Sequence, residues 1–107
     1  LTLYVNVDLD YNVFFPNVFT PNDDGENDMW TGYGTENVKE IENVKIFDRW
    51  GELVFETNNI PLNEPGFGWD GTFRGQMMQP AVFVYVAHVR FIDDSIRKFV
   101  GDITLIR

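Results

Sequence analysis

Ala81-Val82-Phe83-Val84-Tyr85-Val86-Ala87-His88-Val89-Arg90-Phe91 is the stretch from which the fold can be read. From Val82 to Ala87 it is apolar on both faces, the pattern of a central strand packed between two layers. Asp93-Asp94-Ser95 follows as a hairpin turn. Ile96 to Ile106 then reads as a closing strand interrupted at Gly101, where a bulge is expected. Upstream, the turn cluster Arg74-Gly75-Gln76 precedes Pro80, and Asn58 to Gly68, with Pro61, Pro65, Gly66 and Gly68, is a connection without periodicity that ends at Trp69-Asp70-Gly71.

Further upstream, Val44-Lys45-Ile46-Phe47-Asp48-Arg49-Trp50, Gly51-Glu52 and Leu53-Val54-Phe55-Glu56 predict a hairpin whose Gly51 supplies a positive backbone angle. Val38 to Glu42 has the spacing of one helical turn but is too short for a helix, so a loop leading into a strand is expected. Met29 to Tyr33 reads as a short strand closed by Gly32 and Gly34. Val13-Phe14-Phe15 and Val18-Phe19 read as one strand, placed at an edge or bulge by Pro16. Residues 1–10 alternate, with Leu1, Leu3, Val5, Val7 and Leu9 on one side, as in a half-buried strand.

About seven short strands without a helix predict an all-β fold, an antiparallel β-sandwich of immunoglobulin-like shape, with a small barrel as the alternative. A chain of 107 residues with 44% hydrophobic content is enough for one core. No apolar run approaches the ~20 residues of a membrane-spanning helix. Residue 1 falls in a strand pattern, not in a basic region followed by an apolar core, so no targeting segment is expected there. With no cysteine, disulfides, thiolate metal sites and thiol nucleophiles are excluded. A net charge of −9 argues against a nucleic-acid partner. That charge is uneven: residues 1–29 hold six acids and no Lys or Arg, whereas residues 71–107 hold three acids and five bases.

Catalysis finds little support. His88 is the only histidine and Ser95 the only serine. In an extended strand they would lie about 20 Å apart, beyond the reach of a nucleophile and its base. The loop Asn22 to Asp28 is the strongest chemical signal, because calcium takes six to eight oxygens and a glycine that lets the backbone wrap. Asn22, Asp24 and Asp28 stand where the third, fifth and ninth positions of an EF-hand loop would be, with Gly25 between. The first position falls on Thr20 and the twelfth on Thr31, neither an acid. The competing reading is a set of Asx-turns capped by Asn22, Asp23 and Asp24, with Gly25 left-handed. Trp30, Trp50 and Trp69 admit a sugar-stacking platform, but Trp50 and Trp69 lie beside turn glycines, where large rings close the ends of a sandwich core.

Five blocks, in order, resemble the gliding motility-associated C-terminal domain, the type B sorting domain of the Bacteroidota type IX secretion system. They are Phe-Pro-Asn-Val-Phe-Thr-Pro-Asn-Asp-Asp-Gly-Glu-Asn-Asp (15–28), Ile-Phe-Asp-Arg-Trp-Gly-Glu-Leu-Val-Phe-Glu (46–56), Trp-Asp-Gly-Thr (69–72), Val-Phe-Val-Tyr-Val (82–86) and Gly-Asp-Ile-Thr-Leu-Ile-Arg (101–107). The similarity runs from about residue 13 to 107, with residues 1–12 read as a first strand or a linker from the passenger. Asp23, where glycine is common in the family, and Pro80-Ala81, in place of a Pro-x-Gly turn, depart from the pattern.

The resemblance implies a non-enzymatic, folded export signal that carries an N-terminal passenger, such as a gliding adhesin, across the periplasm to the cell surface or beyond. Its implied partners are the translocon and an outer-membrane β-barrel shuttle protein. The recognition residues it implies are Pro16, Asn17, Phe19, Thr20, Pro21, Asn22, Asp24, Gly25, Asn27, Asp28, Phe47, Arg49, Trp50, Gly51, Trp69, Asp70, Gly71, Gly101, Leu105 and Arg107. Gly101 to Arg107 and the Asn22–Asp28 loop are the expected recognised end, with strand addition along Ile96 to Arg107 as one mode. The alternative is an extracellular carbohydrate- or calcium-binding adhesive module.

Overall fold

The computed structural model describes residues 13–21, 29–64 and 66–107, and these residues form no helix. Their strands in chain order are β1 (Val13–Phe14), β2 (Val18–Phe19), β3 (Tyr33–Gly34), β4 (Val38–Phe47), β5 (Leu53–Ile60), β6 (Thr72–Phe73), β7 (Gln76–Met77), β8 (Ala81–Phe91) and β9 (Ile96–Leu105). The alternating residues 1–10 lie outside the described part. Four long strands and the short β2 make a five-stranded sheet in the order β2-β9-β8-β4-β5, while β1-β3 and β6-β7 are two-stranded ribbons. The architecture is all-β and compatible with a sandwich.

The count exceeds the expected seven partly because Pro16 splits one anticipated strand into two that join different sheets. β1 pairs antiparallel with β3, whereas β2 pairs parallel with Thr104 and Leu105 of β9. A proline has no N–H to give a ladder, so the chain can leave one sheet and enter another there without stranding a donor. The carbonyl of Pro16 is satisfied by the indole N–H of Trp30 at 2.6 Å.

β8 is the central strand, as the sequence predicts, but only one of its faces is covered by described residues. Phe83, Ala87, Val89 and Phe91 are buried, with Tyr85 partly so, while Val82 on the opposite face is 46% exposed. Beside them on the covered side lie Ile41 and Ile46 of β4, Val54 of β5, and Ile103 and Leu105 of β9. The second layer is largely aromatic. Phe15 stacks on Trp30 with centroids 5.5 Å apart and meets Tyr85 at 4.9 Å; Trp69 meets Phe19 at 5.4 Å and Phe83 edge-on at 5.0 Å. Trp30 and Trp69 are almost fully buried. Each such side chain contributes roughly 1.5–3 kcal/mol by burial, and the ring pairs add about 0.5–1.5 kcal/mol each.

Two expectations about β4 and β9 need correction. β4 begins at Val38, where a loop was expected, because its pairing with β8 shifts register between Val38 and Glu40 and again between Ile41 and Asn43. Those irregularities put Val38, Ile41 and Val44 all inward at three-residue spacing, which imitates a helical turn in the sequence. In β9 the register runs unbroken through Gly101, so no bulge lies there. Gly101 instead leaves room for the ring of its cross-strand partner: an added Cβ would come within 2.7 Å of Tyr85 Cε2. Burial pushes the Tyr85 phenol above its ordinary pKa, and the neighbouring Asp102 carboxylate raises it further. Met29 to Tyr33 also differs from expectation, since Trp30 forms an isolated bridge to Trp69 and the strand starts only at Tyr33.

The Trp30–Trp69 bridge, with backbone bonds of 2.8 and 2.9 Å, requires a glycine beside it. Gly68 has φ +133°, and a Cβ there would overlap the Trp30 carbonyl oxygen and lie 3.1 Å from Thr31 Cβ. Gly66 has open space around the same atom. Gly68→Ala is therefore expected to lower stability by about 3 kcal/mol in urea unfolding, and Gly66→Ala to stay within about 0.5 kcal/mol of the parent. Equal midpoints for the two variants would mean that the bridge is not needed.

Candidate functional site

β9 runs toward the same end of the main sheet as β2 and β4, and β5 and β8 start there. Thr104 N–H donates to the Asn17 carbonyl at 2.8 Å and Ile106 N–H to the Phe19 carbonyl at 3.0 Å, so β2 fixes where the last residues lie. Beyond them, the guanidinium of Arg107 gathers three main-chain carbonyls, one after β2 and one on each side of the β6–β7 ribbon. Its Nε donates to the Met78 carbonyl at 2.8 Å, Nη2 to the Gly71 carbonyl at 3.1 Å and Nη1, more weakly, to the Pro21 carbonyl at 3.4 Å. Five fixed N–H donors on one planar group make arginine suited to such a junction.

The loop around Gly71 is shaped to receive it. Gly71 has φ +84°, and a Cβ there would press on Pro21 Cγ at 3.1 Å and Arg107 Nη2 at 3.3 Å. Its carbonyl also accepts from Met78 N–H at 3.0 Å. Before it, Asp70 Oδ1 accepts from the amide and hydroxyl of Thr72 at 3.1 and 2.6 Å, and the Trp69 indole donates to the Thr72 carbonyl at 2.9 Å. The Trp-Asp-Gly-Thr block is thus a self-capped turn whose indole is sunk in the core.

The β4–β5 hairpin forms as the sequence predicts. Asp48 Oδ1 accepts from both Trp50 N–H and Glu52 N–H at 2.9 Å, Gly51 N–H donates to the Asp48 carbonyl at 3.0 Å, and Gly51 has φ +85°. The expectation for Trp50 is overturned. Its side chain is 83% exposed, not part of the core, because the turn turns it out to solvent, where the Arg49 guanidinium lies 5.6 Å from its ring centroid. Trp69 behaves as expected and is buried.

Among the residues singled out from sequence, Phe19, Pro21, Trp69, Gly71, Leu105 and Arg107 come together at this end. Pro16, Asn17 and Thr20 flank β2, and Asp70 caps the adjoining turn. Phe47, Arg49, Trp50 and Gly51 make the neighbouring hairpin, whose Arg49 and Trp50 share a shallow cleft with Met78, Gln79 and Val82. Gly101 stands apart, farther up β9 opposite Tyr85. Asn22, Asp24, Gly25, Asn27 and Asp28, and with them the calcium reading, fall outside the described residues. Thr31, the twelfth position of that reading, is fully buried, and its hydroxyl has no partner among the described residues.

Met78 escaped the sequence reading because it contributes a main-chain carbonyl, which composition does not reveal. Arg74 was visible only as part of a turn. The Ser95 hydroxyl donates to Asp93 at 2.6 Å in its turn, while His88 sits between Asn43 and Lys98 on the sheet, so the two are not arranged as nucleophile and base. The Arg107 junction predicts a specific loss. Arg107→Ala is expected to cost about 1–3 kcal/mol in unfolding free energy, and to speed hydrogen exchange at the Met78 amide while leaving that of Val89 protected. Unchanged exchange at Met78 would show that the junction is not a structural tie.

A comparison with curated proteins finds no match. The family model described as CHU_C Type IX secretion signal domain matches residues 13–105. Its span takes in the aromatic layer, both turn motifs and β9, and its description is that of a secretion signal and not of a catalytic family. The chain belongs to the type IX secretion signal domain family.

Proposed function

We propose that this domain is a folded address, joined to the C-terminal side of a passenger and read by the type IX translocon together with an outer-membrane β-barrel shuttle protein. The passenger, a cell-surface protein such as a gliding adhesin, crosses the periplasm and reaches the surface or the medium. Residues 13–107 act as the sorting domain, and residues 1–12 join it to the passenger.

The observation that carries this reading is the Arg107 junction, where one guanidinium ties the chain at Pro21 to both sides of the β6–β7 ribbon, at Gly71 and Met78. A signal recognised in the folded state needs a surface whose shape is set by the scaffold, and loops tied to a sheet end provide one. The recognised end comprises β2 with its flanks, the Trp50 hairpin, the Trp69–Thr72 turn and the chain from Leu105 to Arg107. Strand addition along β9 is limited to its first part, since Thr104 and Leu105 are already paired with β2.

The exposed ring of Trp50 favours one second reading, an extracellular carbohydrate-binding module, because sugars stack on such rings. Fusing residues 1–107 behind a periplasmic reporter in a gliding bacterium separates the two. The secretion reading predicts reporter in the medium or on the surface with the domain and retention without it. Retention in both cases, with glycan binding by the purified domain, would favour the module instead.

A further inference from the structure

Two side chains at the Arg107 end occupy positions that local structure does not recommend. Arg74 and Gly75, at φ +55° and +79°, form the two-residue turn between β6 and β7. Asn or Gly is the easy choice at the first of these positions, and other residues are strained there by roughly 1–2 kcal/mol. Trp50, 83% exposed at the tip of a capped hairpin, serves neither core nor solubility. Departures of this kind concentrate at functional surfaces.

The two positions have a common design. The Arg74 guanidinium lies 4.9 Å from the Phe73 ring centroid and that of Arg49 lies 5.6 Å from the Trp50 centroid. Two shallow clefts adjoin along Met78 and Gln79, one carrying Arg49 and Trp50 and the other Phe73 and Arg74. Neither arginine has a carboxylate partner among the described residues, whereas Lys39 and Arg90, away from this end, are paired with Asp94 and Glu42. A guanidinium resting on a ring is held in place while its N–H edge stays free for a planar carboxylate.

We propose that this paired arginine–aromatic surface docks a carboxylate-bearing loop of a protein of the export machinery, with Arg49 and Arg74 each taking an acid and Trp50 packing against the loop. The proposal rests on the secretion-signal reading and adds to it which surface is read and the charge of the partner. Basic groups without a carboxylate partner among the described residues fit an acidic partner, and neither the Arg107 junction nor the core uses them.

The test is reporter export in a gliding bacterium, with residues 1–107 as parent and as the double variants R49E/R74E, R49Q/R74Q and R49K/R74K. Thermal unfolding of each purified 107-residue chain is measured alongside. Export is expected to fall about tenfold or more in R49E/R74E, to fall in R49Q/R74Q and to be largely kept in R49K/R74K, with unfolding midpoints unchanged. If the parent is not exported, the secretion reading itself fails. If the parent and R49E/R74E are exported equally, only the docking surface fails. Equal loss in R49K/R74K would overturn the acidic partner, and lower midpoints in both the Glu and Gln variants would show that the arginines serve the domain's own fold.

Discussion

The hydrogen bond from the Trp30 indole to the Pro16 carbonyl holds the chain where it changes sheets. On one side of it, β1 belongs to a ribbon with β3; on the other, β2 lies parallel to the end of β9. Phe15, between them, points into the aromatic layer against Trp30, Tyr85 and Phe99. Trp30 is fixed in turn by its backbone bridge to Trp69, which tolerates only a glycine at position 68. With the crossing point set, β2 can pair with Thr104 and Leu105, and that pairing brings Pro21 within reach of Arg107. The Arg107 junction is therefore the far consequence of one proline and two buried tryptophans.

Much of the scaffold was legible in the sequence because it depends on side-chain pattern and turn chemistry. The central strand from Ala81 follows from an apolar run, and the hairpin around Gly51, the turn at Asp93 to Ser95 and the closing strand follow from strand-like segments bounded by Gly, Asp and Ser. Where register slips, the pattern misleads: the irregular pairing of β4 gives Val38 and Ile41 a helical spacing on a strand. Gly101 suggested a bulge because a glycine signals missing bulk without saying what fills the space, and here it is the ring of Tyr85.

The candidate site was legible as a set of motifs but not as an arrangement. Arg107 acts on main-chain carbonyls, and Met78 meets it through one of them, so the relation has no composition signature. The parallel β2–β9 pairing joins residues far apart in sequence, and no local propensity encodes it. Trp50 and Trp69 both stand next to glycine, yet one is in solvent and the other in the core. The difference lies in the capping: Asp48 ties the hairpin tip to its own backbone and leaves Trp50 outside, whereas the Trp69 indole is held under the turn by the Thr72 carbonyl. The two ends of the sheet also differ, with ion pairs about Arg90 away from the junction and ring-supported arginines beside it.

A folded surface, and not a linear stretch, is the proposed signal. The decisive comparison is the export of reporters carrying core variants far from the Arg107 junction, Ile41→Ala, Val89→Ala and Phe91→Ala, set against the folded fraction of each domain from urea unfolding. These substitutions leave every motif residue in place, and each is expected to cost about 1–5 kcal/mol. Export is expected to decline in step with the folded fraction. Full export by a variant whose domain is unfolded would contradict a folded signal.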